Sequence, residues 1–252
     1  MPTGLVAPFY QALQRVRLAI KDDHGVLRSV SHLTAERKLS IGNGRNYRVR
    51  SEIALDVASA YPGGDYFEFG SSGLCTFRSF LAAFDINYGH TKHFPNTRFY
   101  AFDIFGNPDL GRGPPPEERD YFEAWRIAPE IAAPLSSLEP YGALKERCVL
   151  VPGYYQDTLN EDLKNKMREA NQQIGFAFLD CNTEISYKVV FDFLIDVIRS
   201  KMFIYLDEYF LDAYVPKLYR KFADSAKQRY NLDSLYMRNA GSFGALFCLM
   251  PG

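Results

Sequence analysis

Asp65-Tyr66-Phe67-Glu68-Phe69-Gly70-Ser71-Ser72-Gly73 decides how the chain is to be read. Five strand-forming residues run straight into a glycine turn, and residues 73–84 then carry the spacing of a helix. Glycines in such a turn let the backbone approach a ligand closely, and the helix that follows offers N–H groups with no intrahelical partner. The turn has the form G-x-x-G, not the full G-x-G-x-x-G, so it suits a dinucleotide pyrophosphate less well. Alone it fits a ligand loop and a plain tight strand–helix turn equally.

Working outward, the same unit recurs. Arg98–Asp103 is a second apolar run and ends in an acid; Cys148–Val151 is a third, closed by Pro152-Gly153. Ile174–Asp180 and Lys201–Asp207 are the fourth and fifth, each again ending in aspartate. Helical patterns over 159–170, 184–199 and 213–229 separate or follow them. Strands that are apolar throughout and alternate with helices predict a parallel sheet covered on both faces. Two last runs, 231–238 and 243–250, flank Asn239-Ala240-Gly241-Ser242, a turn with no room for a helix, so they must pair antiparallel. Upstream, residues 4–20 read as an amphipathic helix through Leu5, Phe9, Leu13, Val16 and Ile20, and a second helix over about 48–60 stops at Tyr61-Pro62-Gly63-Gly64. The span 104–146 is too long for an ordinary connection and is read as a lid or substrate wall, with a decorative loop as the alternative. It contains Gly113-Pro114-Pro115-Pro116 and a helical pattern over about Glu117–Ile127.

Bulk properties exclude several classes. A 252-residue chain with 47% apolar residues can bury a large core. Lysine and arginine number 29 against 30 acids, which leaves no basic field for a nucleic acid. No apolar stretch approaches a membrane span, and the N-terminus lacks a signal-peptide core, so a cytoplasmic location is expected. Cys75, Cys148, Cys181 and Cys248 show no C-x-x-C spacing and are expected to be buried thiols. Twenty Phe and 17 Tyr fit an aromatic-lined cleft and fit core filling as well.

Open α/β sheets bind ligands outside the carboxyl ends of their strands, where strand order reverses. Glu68, Gly70, Ser71, Ser72 and Gly73 end the first strand; Asp103 ends the second and would accept hydrogen bonds from a ribose diol, with Phe105 just beyond. After the third, Gly153-Tyr154-Tyr155-Gln156-Asp157-Thr158-Leu159 offers an aromatic to stack on a base and the Gln156 amide to read its edge. Asp157, Thr158 or Asn160 would equally cap the next helix. Asp180 and the pair Asp207-Glu208 end neighbouring strands, about 5 Å apart. Three carboxylates so close would repel unless a cation sits among them, and oxygen ligands favour Mg²⁺. A helix N-cap at Asp180, or a shared proton, is the alternative. His90 and His93, with Lys92 in the loop before the second strand, could reach the site and are otherwise scattered exposed residues.

Five parallel strands closed by an antiparallel hairpin resemble a class I S-adenosylmethionine-dependent methyltransferase. That likeness implies a Rossmann-like, doubly wound seven-stranded α/β sheet in the order 3-2-1-4-5-7-6. More narrowly, four segments resemble the macrocin O-methyltransferase family, which methylates sugar hydroxyls in natural-product biosynthesis. They are Asp65–Gly73, Phe102–Pro108, Gly153–Leu159, and Leu179–Tyr187 with Leu206–Tyr209. Asn182 and Glu184 depart from the family's aspartate and aromatic, and Glu208 replaces its commoner second aspartate. The resemblance implies S-adenosylmethionine on Glu68, Gly70, Ser71, Ser72, Gly73, Asp103, Phe105, Tyr154, Tyr155 and Gln156. It implies Mg²⁺ or a similar ion on Asp180, Asp207 and Glu208, with Asp180 also the general base. The expected partner is a small-molecule acceptor; a homo-oligomer stays open. Residues 1–60 would form a helical extension, and 61–252 the methyltransferase domain with its lid insertion. An NAD-dependent reductase and a catalytically silent cofactor-binding protein are the competing readings.

Overall fold

A computed structural model describes residues 44–252 except 72, 90–92, 106–110, 112, 117–118, 120–134 and 241–242. The expected helix at 4–20 lies outside the described residues, and so does that at Glu117–Ile127 apart from Arg119. Helix α1 spans Gly44–Ser59 and is followed by β1 (Asp65–Phe69), α2 (Cys75–Tyr88) and β2 (Phe99–Asp103). A 3-10 segment, Leu135–Arg147, leads into β3 (Cys148–Pro152). Then come the single turn α3 (Tyr155–Thr158), α4 (Glu161–Glu169), β4 (Ile174–Leu179), α5 (Glu184–Val197), β5 (Met202–Leu206) and α6 (Tyr214–Tyr230). Strands β6 (Leu232–Ala240) and β7 (Gly244–Pro251) close the chain.

The seven strands form one sheet in the order β3-β2-β1-β4-β5-β7-β6, the order expected. Strands β1 to β5 run parallel, while β7 is antiparallel to both β5 and β6. The two-residue period of a strand explains the two cores. Phe67 and Phe69 point to the face covered by α4, α5 and α6, in a cluster with Phe102, Phe193 and Leu194. Tyr66 points the other way, under α1 and α2, with Ile53, Phe77, Phe80 and Phe176. Its ring stacks on Phe80 at 4.1 Å.

Helix ends follow local chemistry. Asn160, not Asp157 or Thr158, caps α4 by accepting from the Leu163 N–H at 3.0 Å. Thr183 caps α5, accepting from the Ser186 N–H at 3.2 Å, so Asp180 is not a helix cap. Asn231 ends α6 in the left-handed region at φ 54°.

The amino ends of the strands are tied by polar contacts. Asp65 Oδ1 accepts from the Arg98 N–H at 2.6 Å, and its Oδ2 accepts from Gln172. Arg147 donates to the Thr97 and Phe94 carbonyls at 2.6 and 2.8 Å. Gly175 is the extra residue of a bulge, since Asp65 pairs with Ile174 and Tyr66 with Phe176. A Cβ there would stand 2.0 Å from the Gly63 carbonyl oxygen.

Candidate functional site

The ladder bonds run one residue past the carboxyl end of each parallel strand. The Gly153 N–H donates to the Asp103 carbonyl at 3.0 Å, and the Gly70 N–H to that of Phe102 at 3.0 Å. The Asp180 N–H donates to the Phe69 carbonyl at 2.9 Å, and the Asp207 N–H to that of Leu179 at 3.0 Å. Gly153, Asp103, Gly70, Asp180 and Asp207 therefore form one row. Strand order reverses between β1 and β4, which puts the crevice at Gly70 and Asp180. Gly70 has φ +89°, and a Cβ on it would stand 2.1 Å from the Asp180 carbonyl oxygen. Only glycine lets the two strand ends close to this distance.

The turn after β1 is tight. The Leu74 N–H bonds the Ser71 carbonyl at 2.7 Å, and Leu74 enters α2 at φ 59°. Ser71 is buried and donates from Oγ to the Glu68 carbonyl at 3.3 Å. Glu68 lies behind the turn, only 1% exposed, with its Oε2 accepting the Tyr66 hydroxyl. Gly73 is half-buried. Ser72 lies outside the described residues.

Asp103 is half-buried, and its Oδ1 accepts from the Phe105 N–H at 2.8 Å, which fixes the carboxylate at the strand end. Phe105 itself, at φ 47°, packs against the core under α1 and α2. Beyond β3, Tyr154 is buried and Gln156 is exposed. The Tyr155 ring stands edge-on to Phe69 at 6.0 Å. Burial first, then the charges of Cys181, Asp103 and Asp180, push its phenol well above its usual range. Tyr155, half-buried, thus packs on Phe69 close to the acids of the row. Gly111, from the long insertion, lies against Asp157: a Cβ there would stand 2.7 Å from its Oδ2.

Asp180, Asp207 and Glu208 gather around Tyr187, whose hydroxyl donates to the Leu179 carbonyl at 3.4 Å. Burial, then the charges of Cys181, Glu208, Asp180 and Asp207, hold the Tyr187 phenol well above its usual range. The described donors give the expected Mg²⁺ no support. Among the described residues no group of three His, Cys, Asp or Glu side chains could hold an ion. Asp207 Oδ1 instead accepts the Tyr205 hydroxyl at 2.6 Å. A local donor thus does part of the work that the sequence reading assigned to a cation.

The sequence reading missed Tyr66, Tyr187 and Tyr205 as partners of the site. One signal was available. Tyr66-x-Glu68 and Tyr205-x-Asp207 share a spacing of two, which places hydroxyl and carboxylate on one face of a strand. Tyr187 has no such local signal, because the turn of α5 brings it in. Away from the site, a cavity of about 130 Å³ lies at the amino ends of β4 and β5, between Met167, Gln172, Val197 and Arg199. No described helix is long and apolar enough to cross a membrane. No disulfide joins the cysteines; Cys181 and Cys248 are buried, Cys75 and Cys148 half-buried.

No family model matches the sequence, and no curated protein does. Solved structures do match. The O-methyltransferase NovP is 16% identical with a TM-score of 0.53, covering 83% of this chain and 81% of its own. The O-methyltransferase TomG from Streptomyces achromogenes, solved in complex with S-adenosylmethionine, is 14% identical with a TM-score of 0.50 and covers 96% of both chains. CalS11, a TDP-rhamnose 3'-O-methyltransferase of calicheamicin biosynthesis, is 17% identical with a TM-score of 0.50, covering 94% of this chain and 92% of its own. At these identities the likeness is one of fold, and it agrees with the strand order: the chain has the Rossmann-like methyltransferase fold.

Proposed function

We propose that the chain is an S-adenosylmethionine-dependent O-methyltransferase acting on a hydroxyl of a small molecule. The observation that carries this reading is the wedge at the switch point. Gly70, at φ +89°, closes on the Asp180 carbonyl in a sheet whose last strand runs antiparallel. In this reading backbone N–H groups of the turn after β1 face the ligand there, and Asp180 forms the opposite wall.

In this reading the turn holds the methionine part of the cofactor, Asp103 the ribose diol, and Gln156 the edge of the adenine. Tyr155 packs beneath. Bound there, S-adenosylmethionine would supply an electrophilic methyl group to the acceptor oxygen, the O–C bond forming as the C–S bond breaks and its electron pair stays on sulfur. Asp180 takes the hydroxyl proton, and S-adenosylhomocysteine leaves. Positioning supplies most of the acceleration. No step is routed through a metal: among the described residues no group of three His, Cys, Asp or Glu side chains could hold one.

Calorimetry tests the cofactor. S-adenosylhomocysteine should bind with a Kd on the order of micromolar, about −8 kcal/mol, and NADH should not bind. Tight NADH binding with no S-adenosylhomocysteine binding would favour the reductase reading and overturn this one.

A further inference from the structure

We infer that an apolar shelf beside Glu208 receives the far end of the acceptor, and that the acceptor carries an aromatic ring. The shelf consists of Phe210, Leu211 and Phe243, which are 51%, 56% and 44% exposed. Exposed apolar groups held together in one patch mark interaction surfaces more often than isolated ones do. This inference rests on the methyltransferase reading and extends it to the substrate.

Three observations assign the shelf to the site. It is continuous with the row of strand ends: the Leu211 and Asp212 N–H groups both bond the Glu208 carbonyl at 3.1 Å, which makes the turn that presents Phe210. It lies on the same edge, since Leu206 at the end of β5 pairs with Ala245 at the start of β7, just after Phe243. It is also built to stay in place. The Phe210 N–H donates to the Phe243 carbonyl at 2.8 Å. The Phe210 ring stands edge-on to Tyr209 at 5.0 Å, and Tyr209 rests on Phe247 at 5.0 Å. An exposed phenylalanine held this way is pre-organised for a flat partner.

Geometry sets the reach. Neighbouring strands lie about 5 Å apart, so the start of β7 stands roughly 10 Å from the β4 end that carries Asp180. A hydroxyl at Asp180 therefore places a ring one sugar or one ring further along the molecule over Phe210 and Phe243. Ligand sites combine such apolar walls with a few polar groups, and here the polar groups are the acids of the row.

The test compares two probes in the presence of saturating S-adenosylhomocysteine. These are 4-nitrophenyl β-D-glucopyranoside and methyl β-D-glucopyranoside, with binding followed by calorimetry. The aryl glycoside should bind at least about tenfold tighter, and Phe210→Ser with Leu211→Ser should reduce that ratio to about twofold or less. S-adenosylhomocysteine affinity should not change in the double variant. A wild-type ratio near one, binding of neither glycoside, or a ratio the variant leaves intact overturns the inference. So does a wild-type dimer that the variant converts to monomer in sedimentation, which gives the shelf to a second copy of the chain. Loss of S-adenosylhomocysteine binding in the wild type would instead strike the methyltransferase reading itself.

Discussion

Gly70→Ala is the sharpest perturbation of the site. The new Cβ would stand 2.1 Å from the Asp180 carbonyl oxygen, so the two strand ends must part by about 1 Å to restore van der Waals contact. The bond from the Asp180 N–H to the Phe69 carbonyl starts at 2.9 Å and is lost over such a shift. Losing it costs about 1 kcal/mol, and the left-handed conformation of alanine adds about 1–2 kcal/mol. The sum, about 2–3 kcal/mol, corresponds to a fall in Tm of roughly 5–10 °C for a domain of this size. Cofactor binding should fall further, by about a hundredfold, because the turn and the Asp180 wall no longer face each other at ligand distance. Gly175→Ala is the matched control. Its Cβ would stand 2.0 Å from a backbone oxygen at the amino ends of the strands. It should lower the Tm comparably and leave S-adenosylhomocysteine affinity within about twofold once folded. Differential scanning fluorimetry and calorimetry read both quantities. Gly70→Ala with unaltered cofactor affinity, or Gly175→Ala with an equal loss, would refute the argument that this wedge forms the site.

Other outcomes follow from single groups. Asp180→Asn should cut methyl transfer by about 10²–10⁴-fold with S-adenosylhomocysteine binding kept, and equal loss of both would make Asp180 structural. Chelation with EDTA should leave turnover within about twofold, because Asp207 Oδ1 accepts the Tyr205 hydroxyl and no group of three ligating side chains among the described residues could hold an ion; strict Mg²⁺ dependence would reverse that. Burial raises the Asp56 carboxyl from 3.8 to about 6 against the pull of Arg238, whose Nη1 lies 3.0 Å away. Its folded pKa lies above its unfolded one, so its contribution is complete below about pH 4 and is lost as pH rises through about 6. The loss is at most about 3 kcal/mol. Asp56→Asn should remove that step from the pH profile of Tm, and an unchanged profile would place the titration elsewhere. Burial pushes the Cys181 and Cys248 thiols up and Cys148 to about 12, so these three should resist Ellman's reagent at about pH 8 until the chain is unfolded. Rapid native labelling of all four cysteines would contradict the packing.

The sequence by itself determined the sheet and the identity of its carboxyl edge. Alternation of apolar runs with helical patterns is local, and a short turn at 239–242 excludes a crossover, so five parallel strands and a reversed hairpin can be read without coordinates. Glycine in the turn and an acid closing three of the strands were legible for the same reason. Tertiary structure decided what each acid does. Glu68, expected at the cofactor, lies behind the turn with its carboxylate accepting the Tyr66 hydroxyl; Asp207, expected at a metal, accepts the Tyr205 hydroxyl. Tyr187 and the Phe210 shelf entered only when distant segments packed together. The physical reason is the range of the information. Strand period and turn chemistry act over a few residues, whereas the partner of a carboxylate is whichever donor the packed helices and strands bring within 3 Å of it.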